Sequence, residues 1–153
     1  YLTALLEVVR YHHGKVIDIM GDGIMAFWGG SAARESENMT NSIAVKKAGI
    51  CGRDMLTVRE KVINKIIAKE DLGAEINIGI GVTFDSVIVT KIGIADSYDV
   101  KAFGDCINVA SKYSSKVTNK VKVSKKVRIL WPSSEGGKIH FDPIHGEDAY
   151  YLT

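Results

Sequence analysis

The stretch KVIDIMGDGIMAFWG, residues 15–29, contains two apolar runs separated by Gly21-Asp22-Gly23. The runs KVIDIM (15–20) and IMAFWG (24–29) have the length and apolar content that are typical of β-strands, and the glycines favour a tight turn. The stretch therefore predicts an antiparallel hairpin that carries Asp22 at its tip. A carboxylate at such a tip serves either as a plain turn residue or as a ligand of a hard cation, and the hairpin alone leaves both roles open.

The remaining sequence alternates between helical and strand patterns. A helix is predicted over residues 1–14 with Gly14 as its C-cap, and a longer helix is predicted from about residue 35 to residue 69, with kinks at Gly49 and Gly52. The other predicted elements are strands at 75–82 and 85–94 joined by a turn at 83–86, a helix at 104–117, a strand at 121–131 that runs into a short helix, and a closing hairpin at 138–144 and 149–153. The order α-ββ-α-ββ-α-β-(α)-ββ favours the α/β class, as an α+β two-layer sandwich with a largely antiparallel sheet and helices on one face.

Composition indicates a single soluble domain over all 153 residues. Apolar residues make up 46% and charged residues 25%, which are ordinary values for a globular protein. The net charge of +2 gives no strong field for nucleic acid or an anionic membrane, and no apolar run reaches the roughly 20 residues that span a bilayer. Cys51 and Cys106 lack the spacing of a zinc site or a disulfide framework, so we expect reduced thiols in a cytoplasmic protein.

A second polar constellation lies in SYDVKAFGDCINVASK, residues 97–112. A strand-like run ends at Gly104-Asp105 and a helix begins, so Asn108 and Lys112 share one helix face. An amide and an ammonium that project together suit an anion or a developing negative charge. The alternative is that Asp105 caps the helix while Asn108 and Lys112 are solvated surface residues.

Three stretches together resemble the catalytic domain of the class III nucleotidyl cyclases, the adenylate and guanylate cyclases. They are HHGKVIDIMGDGIMAFWG (12–29), INIGIGVTFDSVIVTKIG (76–93) and YDVKAFGDCINVASK (98–112), and they occur in one order at sensible separations. The resemblance covers nearly the whole chain. It implies a ferredoxin-like, palm-type domain that converts a nucleoside triphosphate to a 3′,5′-cyclic nucleotide and pyrophosphate, with two Mg²⁺ or Mn²⁺ ions per site.

The resemblance also assigns roles to residues of this sequence. Asp22 corresponds to the second of two metal-binding aspartates. The first lies on a strand expected before Tyr1, so the domain at 1–153 is expected to lack its first strand and its first metal aspartate. Asn108 corresponds to the asparagine that orients the ribose. Lys112 stands where the family carries an arginine that stabilises the phosphorane, and a lysine loses the bidentate fork of the guanidinium.

The positions that read the base depart most from the family pattern. Adenylate cyclases place a lysine on the strand before the Gly-Asp turn and an acid or threonine three residues before the second Gly-Asp, whereas this chain has Asp18 and Lys101 there. The exchanged pair suits guanine by a new route or a pyrimidine edge, and Phe103 and Tyr98 add bulk that favours a smaller base. The sequence therefore resembles the bacterial antiphage pyrimidine cyclases, which make cyclic CMP or cyclic UMP. A simple salt bridge between Asp18 and Lys101 is the alternative.

The family forms its sites between two chains, so a homodimer is implied, with Asp22 of one subunit facing Asn108 and Lys112 of the other. Lys112 in place of the arginine, together with two further departures, the 83–86 turn and His145 in place of a triphosphate-binding lysine, keeps open a catalytically inactive module that binds nucleotide or only dimerises. A purine cyclase is the alternative to the pyrimidine cyclase. A palm-type diguanylate synthase is less consistent, because Met20-Gly21-Asp22-Gly23 lacks its Gly-Gly-Asp/Glu-Glu-Phe turn.

Overall fold

The structure, a computed structural model, describes residues 1–30, 40–132 and 137–153. Its helices are α1 (Leu2–Tyr11), α2 (Asn41–Val58), α3 (Asn64–Lys69), α4 (Asp105–Ser115) and α5 (Lys125–Leu130), and a π-helical turn (Arg59–Ile63) joins α2 to α3. Its strands are β1 (Lys15–Met20), β2 (Gly23–Phe27), β3 (Gly79–Val82), β4 (Ile88–Ile94), β5 (Ser97–Phe103), β6 (Lys120–Ser124), β7 (Phe141–Pro143) and β8 (Ala149–Leu152). The predicted loop before α2 and the predicted helix start near residue 35 lie largely outside the described residues. None of the described helices is both long and apolar enough to cross a membrane.

The predicted hairpin at 15–29 is confirmed. β1 and β2 pair antiparallel, Met20 opposite Gly23, so Gly21 and Asp22 form a two-residue turn. Gly21 has φ of +61°, a left-handed conformation that glycine adopts without a steric penalty, which explains why glycine precedes the aspartate. A register shift between Val16 and Asp18 marks a bulge in β1. Bulges re-aim neighbouring side chains and are common beside functional sites.

The main sheet has four strands in the order β3-β6-β8-β7, with β3 parallel to β6 and the other pairs antiparallel. The two strands predicted at 75–82 and 85–94, joined by a turn, therefore do not pair with each other. Instead, β4 pairs antiparallel with β5, which is the strand-like run predicted before Gly104 although the predicted element order does not count it, and β3 is shorter than expected. The physical reason is burial, because β3 places Ile80 and Val82 level with Val121 and Val123 in the core, whereas β4 is exposed along its whole length.

Helix α2 packs against one face of the main sheet. Val45 joins a core formed with residues of β3, β6, α5 and β8, namely Val82, Val121, Val123, Val127 and Leu152. Gly49 and Gly52 do not kink α2 as predicted. They let the helix approach closely, because a Cβ at Gly52 would lie 3.1 Å from Ile80 Cγ2 and one at Gly49 would lie 2.5 Å from the Trp131 ring. The irregularity in this helical segment is the π-helical turn instead.

Helix α4 packs against the opposite face of β3. A Cβ at Gly79 would lie 2.0 Å from the carbonyl oxygen of Ser114, and one at Gly81 would lie 2.1 Å from that of Ala110, both in α4. Side chains alternate along a strand, so these glycines face α4 while Ile80 between them faces α2. The predicted α/β class is confirmed, but the helices cover both faces of the sheet rather than one.

The first helix ends slightly earlier than predicted. Its C-cap is His12, and the left-handed residue that follows is His13, with φ of +59°, rather than Gly14. Gly14 has a packing role, because a Cβ there would lie 2.5 Å from the Trp28 ring. Trp28 Nε1 also donates a hydrogen bond of 2.8 Å to the carbonyl oxygen of His12. These contacts fix α1 to the end of the β1–β2 hairpin.

The close contact between β3 and α4 makes Gly81 intolerant of a side chain. We expect Gly81→Ala to lower the free energy of unfolding by about 1–3 kcal/mol, because the added methyl would overlap a backbone oxygen. Urea denaturation measures the difference. Gly23→Ala is the matched control, since its Cβ would meet nothing closer than the Met20 oxygen at 3.4 Å. Equal stability of the two variants would contradict the packing argument.

Candidate active site

A cleft of about 1070 Å³ lies between the β1–β2 hairpin and β3. One wall is formed by β2 and the residues after it, and the other by β3 and the 83–86 turn, with Ile107 and Ala110 of α4 behind. Asp22 stands on the lining of this cleft at the hairpin tip. Apolar side chains such as Ile17, Ile24 and Ile80 make up much of the surface.

The cleft separates two strand edges. Among the described residues, β2 pairs only with β1, and β3 is the terminal strand of the main sheet, where it pairs only with β6. An open edge presents unpaired N–H and C=O groups that favour the addition of another strand. The space between β2 and β3 therefore has the chemistry of a slot for one extended segment.

Asp22 is exposed, and its backbone oxygen accepts a hydrogen bond of 3.0 Å from Tyr1 Oη. Burial, with a smaller contribution from the charge of Asp22, raises the pKa of the Tyr1 hydroxyl. The rigid turn and the contact with Tyr1 hold the Asp22 backbone in place, and its carboxylate projects where a ligand can reach it. Within the described ranges, no group of three or more His, Cys, Asp or Glu side chains is placed to hold a metal ion.

Asn108 and Lys112 are brought together on α4, as predicted, and both are exposed. Asp105 does not cap the helix, because the N-cap is Gly104 and makes no side-chain capping bond. The face of α4 toward the cleft carries Ile107 and Ala110 instead. One chain therefore places Asp22 in the cleft and the Asn108–Lys112 pair on a separate, outward-facing surface.

Asp18 and Lys101 are also brought together. Lys101 Nζ donates a hydrogen bond of 3.2 Å to Asp18 Oδ2, which links the β1–β2 hairpin to the β4–β5 hairpin. Their side chains are 35% and 40% exposed, so the pair is accessible to a ligand. Only one carboxylate oxygen and one of the three ammonium donors are used in this bond, which leaves an acceptor and two donors for a nucleobase edge.

The two aromatic residues beside Lys101 divide between the faces of β5. Phe103 is two residues from Lys101 and shares its face, and Phe103 is 50% exposed. Tyr98 is three residues away and lies on the other face, where Lys91 Nζ stacks 4.4 Å from its ring centroid. The prediction that Tyr98 adds bulk beside the Asp18–Lys101 pair is therefore wrong, and Phe103 alone remains in position.

The 83–86 turn makes side-chain contacts that the sequence pattern does not predict. Asp85 forms an ion pair with Lys126 of α5, and this hydrogen bond, with one from the Ser86 backbone, lowers the pKa of the Asp85 carboxyl. Thr83 Oγ1 donates a hydrogen bond of 2.8 Å to the carbonyl oxygen of Cys106 at the start of α4. Burial, with a smaller effect of Asp85, raises the pKa of the Cys106 thiol. The turn thus anchors α4 and α5. In the sequence, this turn stands out only because it departs from the family motif.

Comparisons with known proteins bear on the family and the fold of the chain. The family model for the adenylate and guanylate cyclase catalytic domain matches residues 2–143. A cytidylate cyclase from Escherichia coli is 28% identical over 118 residues, which are 75% of this chain and 25% of that protein. The chain therefore spans about a quarter of the length of this curated relative.

Two solved structures show the same fold. The adenylyl cyclase CyaB from P. aeruginosa has a TM-score of 0.80 at 17% identity and is matched over 100% of this chain and 78% of its own. The guanylate cyclase domain of RhGC from Catenaria anguillulae, solved in complex with GTP, has a TM-score of 0.75 at 18% identity and is matched over 99% of this chain and 79% of its own.

Proposed function

Because the chain belongs to the adenylate and guanylate cyclase catalytic domain family, we propose that the protein containing it is a nucleotidyl cyclase. It converts a nucleoside triphosphate to a 3′,5′-cyclic nucleotide and pyrophosphate. The observation that carries this proposal is the position of Asp22, a carboxylate on the rigid tip of a hairpin at the mouth of the cleft. A cytoplasmic location, where nucleoside triphosphates are available, is part of the proposal.

The reaction is intramolecular. The ribose O3′ forms a bond to the α-phosphorus, the bond from that phosphorus to the bridging oxygen of pyrophosphate breaks, and the hydroxyl proton passes to solvent. Such a step needs positioning and charge stabilisation rather than a protein nucleophile. Asn108 orients the ribose through its amide, and the Lys112 ammonium, one helical turn away, stabilises negative charge that builds on the phosphoryl oxygens.

We propose Mg²⁺ or Mn²⁺ as the cofactor, two ions per site. The described residues supply only part of the ligands that two metal ions need. Asp22 contributes one carboxylate, and among the described residues no cluster of three acidic, His or Cys ligands surrounds it. The triphosphate oxygens and one further carboxylate would complete the set. When bound, divalent ions neutralise triphosphate charge and increase the acidity of the attacking hydroxyl.

We propose that the further carboxylate is carried by an additional strand that occupies the cleft between β2 and β3. The open edges on both sides and the apolar lining support such a strand. A direct test compares residues 1–153 alone with the full protein. The isolated segment should form no cyclic nucleotide, and circular dichroism should establish that it is folded. Full activity of the folded segment would contradict the proposal.

A pyrimidine triphosphate is the proposed substrate, with cyclic UMP or cyclic CMP as product and antiphage signalling as the setting. The support is the Asp18–Lys101 pair, exchanged relative to adenylate cyclases and accessible, with Phe103 on the same face. The similarity to a cytidylate cyclase points the same way. A purine triphosphate is the second candidate, because the unused donors and acceptor of the pair also match the edge of guanine.

We propose a homodimer with sites at its interface. Within one chain, Asn108 and Lys112 face outward from α4 while Asp22 lines the cleft on the other side of that helix. A second copy brings the two parts into one site. The exposed apolar residues of the β4–β5 hairpin, which include Ile88, Ile92 and Val100, suit a protein partner.

The test of the function uses the full protein with Mn²⁺ and separate incubations with ATP, GTP, CTP and UTP. Mass spectrometry identifies the products. A cyclic pyrimidine nucleotide is the expected result, and cyclic AMP or cyclic GMP would retain the enzyme and reject the pyrimidine assignment. If none of the four nucleotides gives a product but the protein still binds nucleotide, the result would favour an inactive nucleotide-binding module over a cyclase.

Lys112 provides a prediction with a smaller effect. We expect Lys112→Arg to raise kcat by up to about tenfold, because a guanidinium binds phosphoryl oxygens through two parallel hydrogen bonds. The measurement is a steady-state assay with the preferred triphosphate. Lys65→Arg on α3 is the control, since it makes the same change on an exposed surface. A large loss of activity in Lys112→Arg would mean that the site is shaped for an ammonium.

A further inference from the structure

Lys122 is a buried cation on β6. Only 2% of the residue is exposed, and it lies between the core residues Val121 and Val123. Its neighbours in the strand face α2, so its own side chain points to the face that α4 covers. There Lys122 Nζ lies 4.6 Å from the centroid of the Tyr113 ring and forms an ion pair with Glu147.

The stability of the fold does not by itself explain why a lysine occupies this buried position. Removing an ammonium from water is costly, and a well-packed apolar side chain of similar volume is often as stabilising as a buried ion pair or more so. The hydrogen bond from Lys122 lowers the pKa of the Glu147 carboxyl, which is therefore charged at neutral pH. The pair is thus a specific, directional contact in a part of the sheet where its neighbours are valines.

The contacts of Lys122 join two elements that carry candidate phosphate-binding groups. Tyr113 follows Lys112 directly on α4. Glu147 lies in the turn between β7 and β8, two residues after His145. Its backbone N–H donates a hydrogen bond of 3.1 Å to the carbonyl oxygen of Ile144. Lys122 therefore bridges the helix that presents Lys112 and the turn that presents His145.

We propose that Lys122 is a positioning residue, which holds α4 and the β7–β8 turn in a fixed relation so that Lys112 meets the triphosphate. The inference rests on the proposed nucleotide cyclase function. Lys122 itself touches no substrate, because its ammonium is enclosed by Tyr113 and Glu147. Its effect must therefore pass through Lys112, and this dependence separates a positioning role from a general contribution to folding.

The test is a double-mutant cycle in the full protein with Lys122→Met and Lys112→Met. Methionine retains the length and apolar stem of lysine and removes the charge. Lys122→Met should lower kcat/KM for the preferred triphosphate about tenfold when Lys112 is present and less than about twofold when Lys112 has been replaced, because coupled residues are non-additive. Equal factors in both backgrounds, or no loss at all, would overturn the proposal.

Three further measurements make the result decisive. Lys120→Met is the control, because Lys120 is on the same strand and stacks 4.4 Å from the Tyr151 ring, and it should leave activity unchanged. Glu147→Gln removes the anchor of Lys122 at an accessible position, and it should reproduce the loss if Lys122→Met does not fold. Calorimetry of triphosphate binding repeats the cycle without turnover. If the wild-type protein binds the triphosphate but forms no product, only the proposed cyclase function is contradicted. If it neither binds the triphosphate nor forms product, both the cyclase function and the positioning role of Lys122 are contradicted.

Discussion

Replacing Asp22 by asparagine is expected to lower cyclic-nucleotide formation by at least about a hundredfold, which corresponds to a loss of about 2.7 kcal/mol or more of transition-state stabilisation. The substitution keeps the size and shape of the side chain and removes its charge. An amide is a far weaker ligand for Mg²⁺ or Mn²⁺ than a carboxylate. Because Asp22 is exposed and is not in the core, the variant should unfold at the same temperature as the wild type. The measurement is product formation in the full protein, with a thermal melt alongside.

Asp96 is the matched control for this prediction. It occupies the corresponding hairpin turn between β4 and β5, with φ of +66°, a conformation that asparagine also tolerates. Asp96→Asn therefore makes the same chemical change at a turn that the proposed mechanism does not use, and activity should stay within about twofold. Comparable losses in both variants, or near-wild-type turnover in Asp22→Asn, would remove the metal-ligand role.

The hairpin that carries Asp22 could be predicted from sequence because its signals are local. The two apolar runs and the left-handed turn position occupied by Gly21 lie within 15–29, so no distant contact is needed to place the turn. The placement of Asn108 and Lys112 on one helix face could also be predicted, because residues four apart in a helix lie on the same face. The cross-sheet bond between Asp18 and Lys101 was anticipated only through the family resemblance and the simple salt-bridge alternative.

Features that depend on distant partners could not be read in this way. Strand β3 is followed by the turn signal at 83–86, yet it pairs in parallel with β6, about 40 residues later, because the core residues of the two strands lie level with each other. Gly79 and Gly81 gave no sign that α4 would pack against them, and their absent side chains are what admit the helix. In the sequence, Lys122 stands in the locally basic stretch 116–128, whose pattern is that of a solvated face, whereas the structure places Tyr113 and Glu147 around its ammonium.

The Asp18–Lys101 pair carries the second large prediction, which concerns the choice of base. Lys101→Met should reduce kcat/KM for the preferred triphosphate about 10- to 100-fold, because charge-assisted hydrogen bonds contribute roughly 1.5–3 kcal/mol. Stability should change by less than about 1 kcal/mol, as expected for a pair that is more than a third exposed. Lys91→Met is the control, since Lys91 lies on the adjacent strand and stacks on Tyr98 on the other face.

The charge-exchanged double variant Asp18→Lys with Lys101→Asp separates base reading from a structural salt bridge. It retains an ion pair between β1 and β5, and it also restores the order of lysine and acid that the family resemblance associates with adenine. We expect it to lose the preference for a pyrimidine triphosphate and to gain activity with ATP, measured as the ratio of kcat/KM values for the four substrates. A salt bridge without a recognition role predicts an unchanged ratio in this variant and in Lys101→Met. The substrate ratio, rather than total activity, therefore decides whether these two side chains face the base.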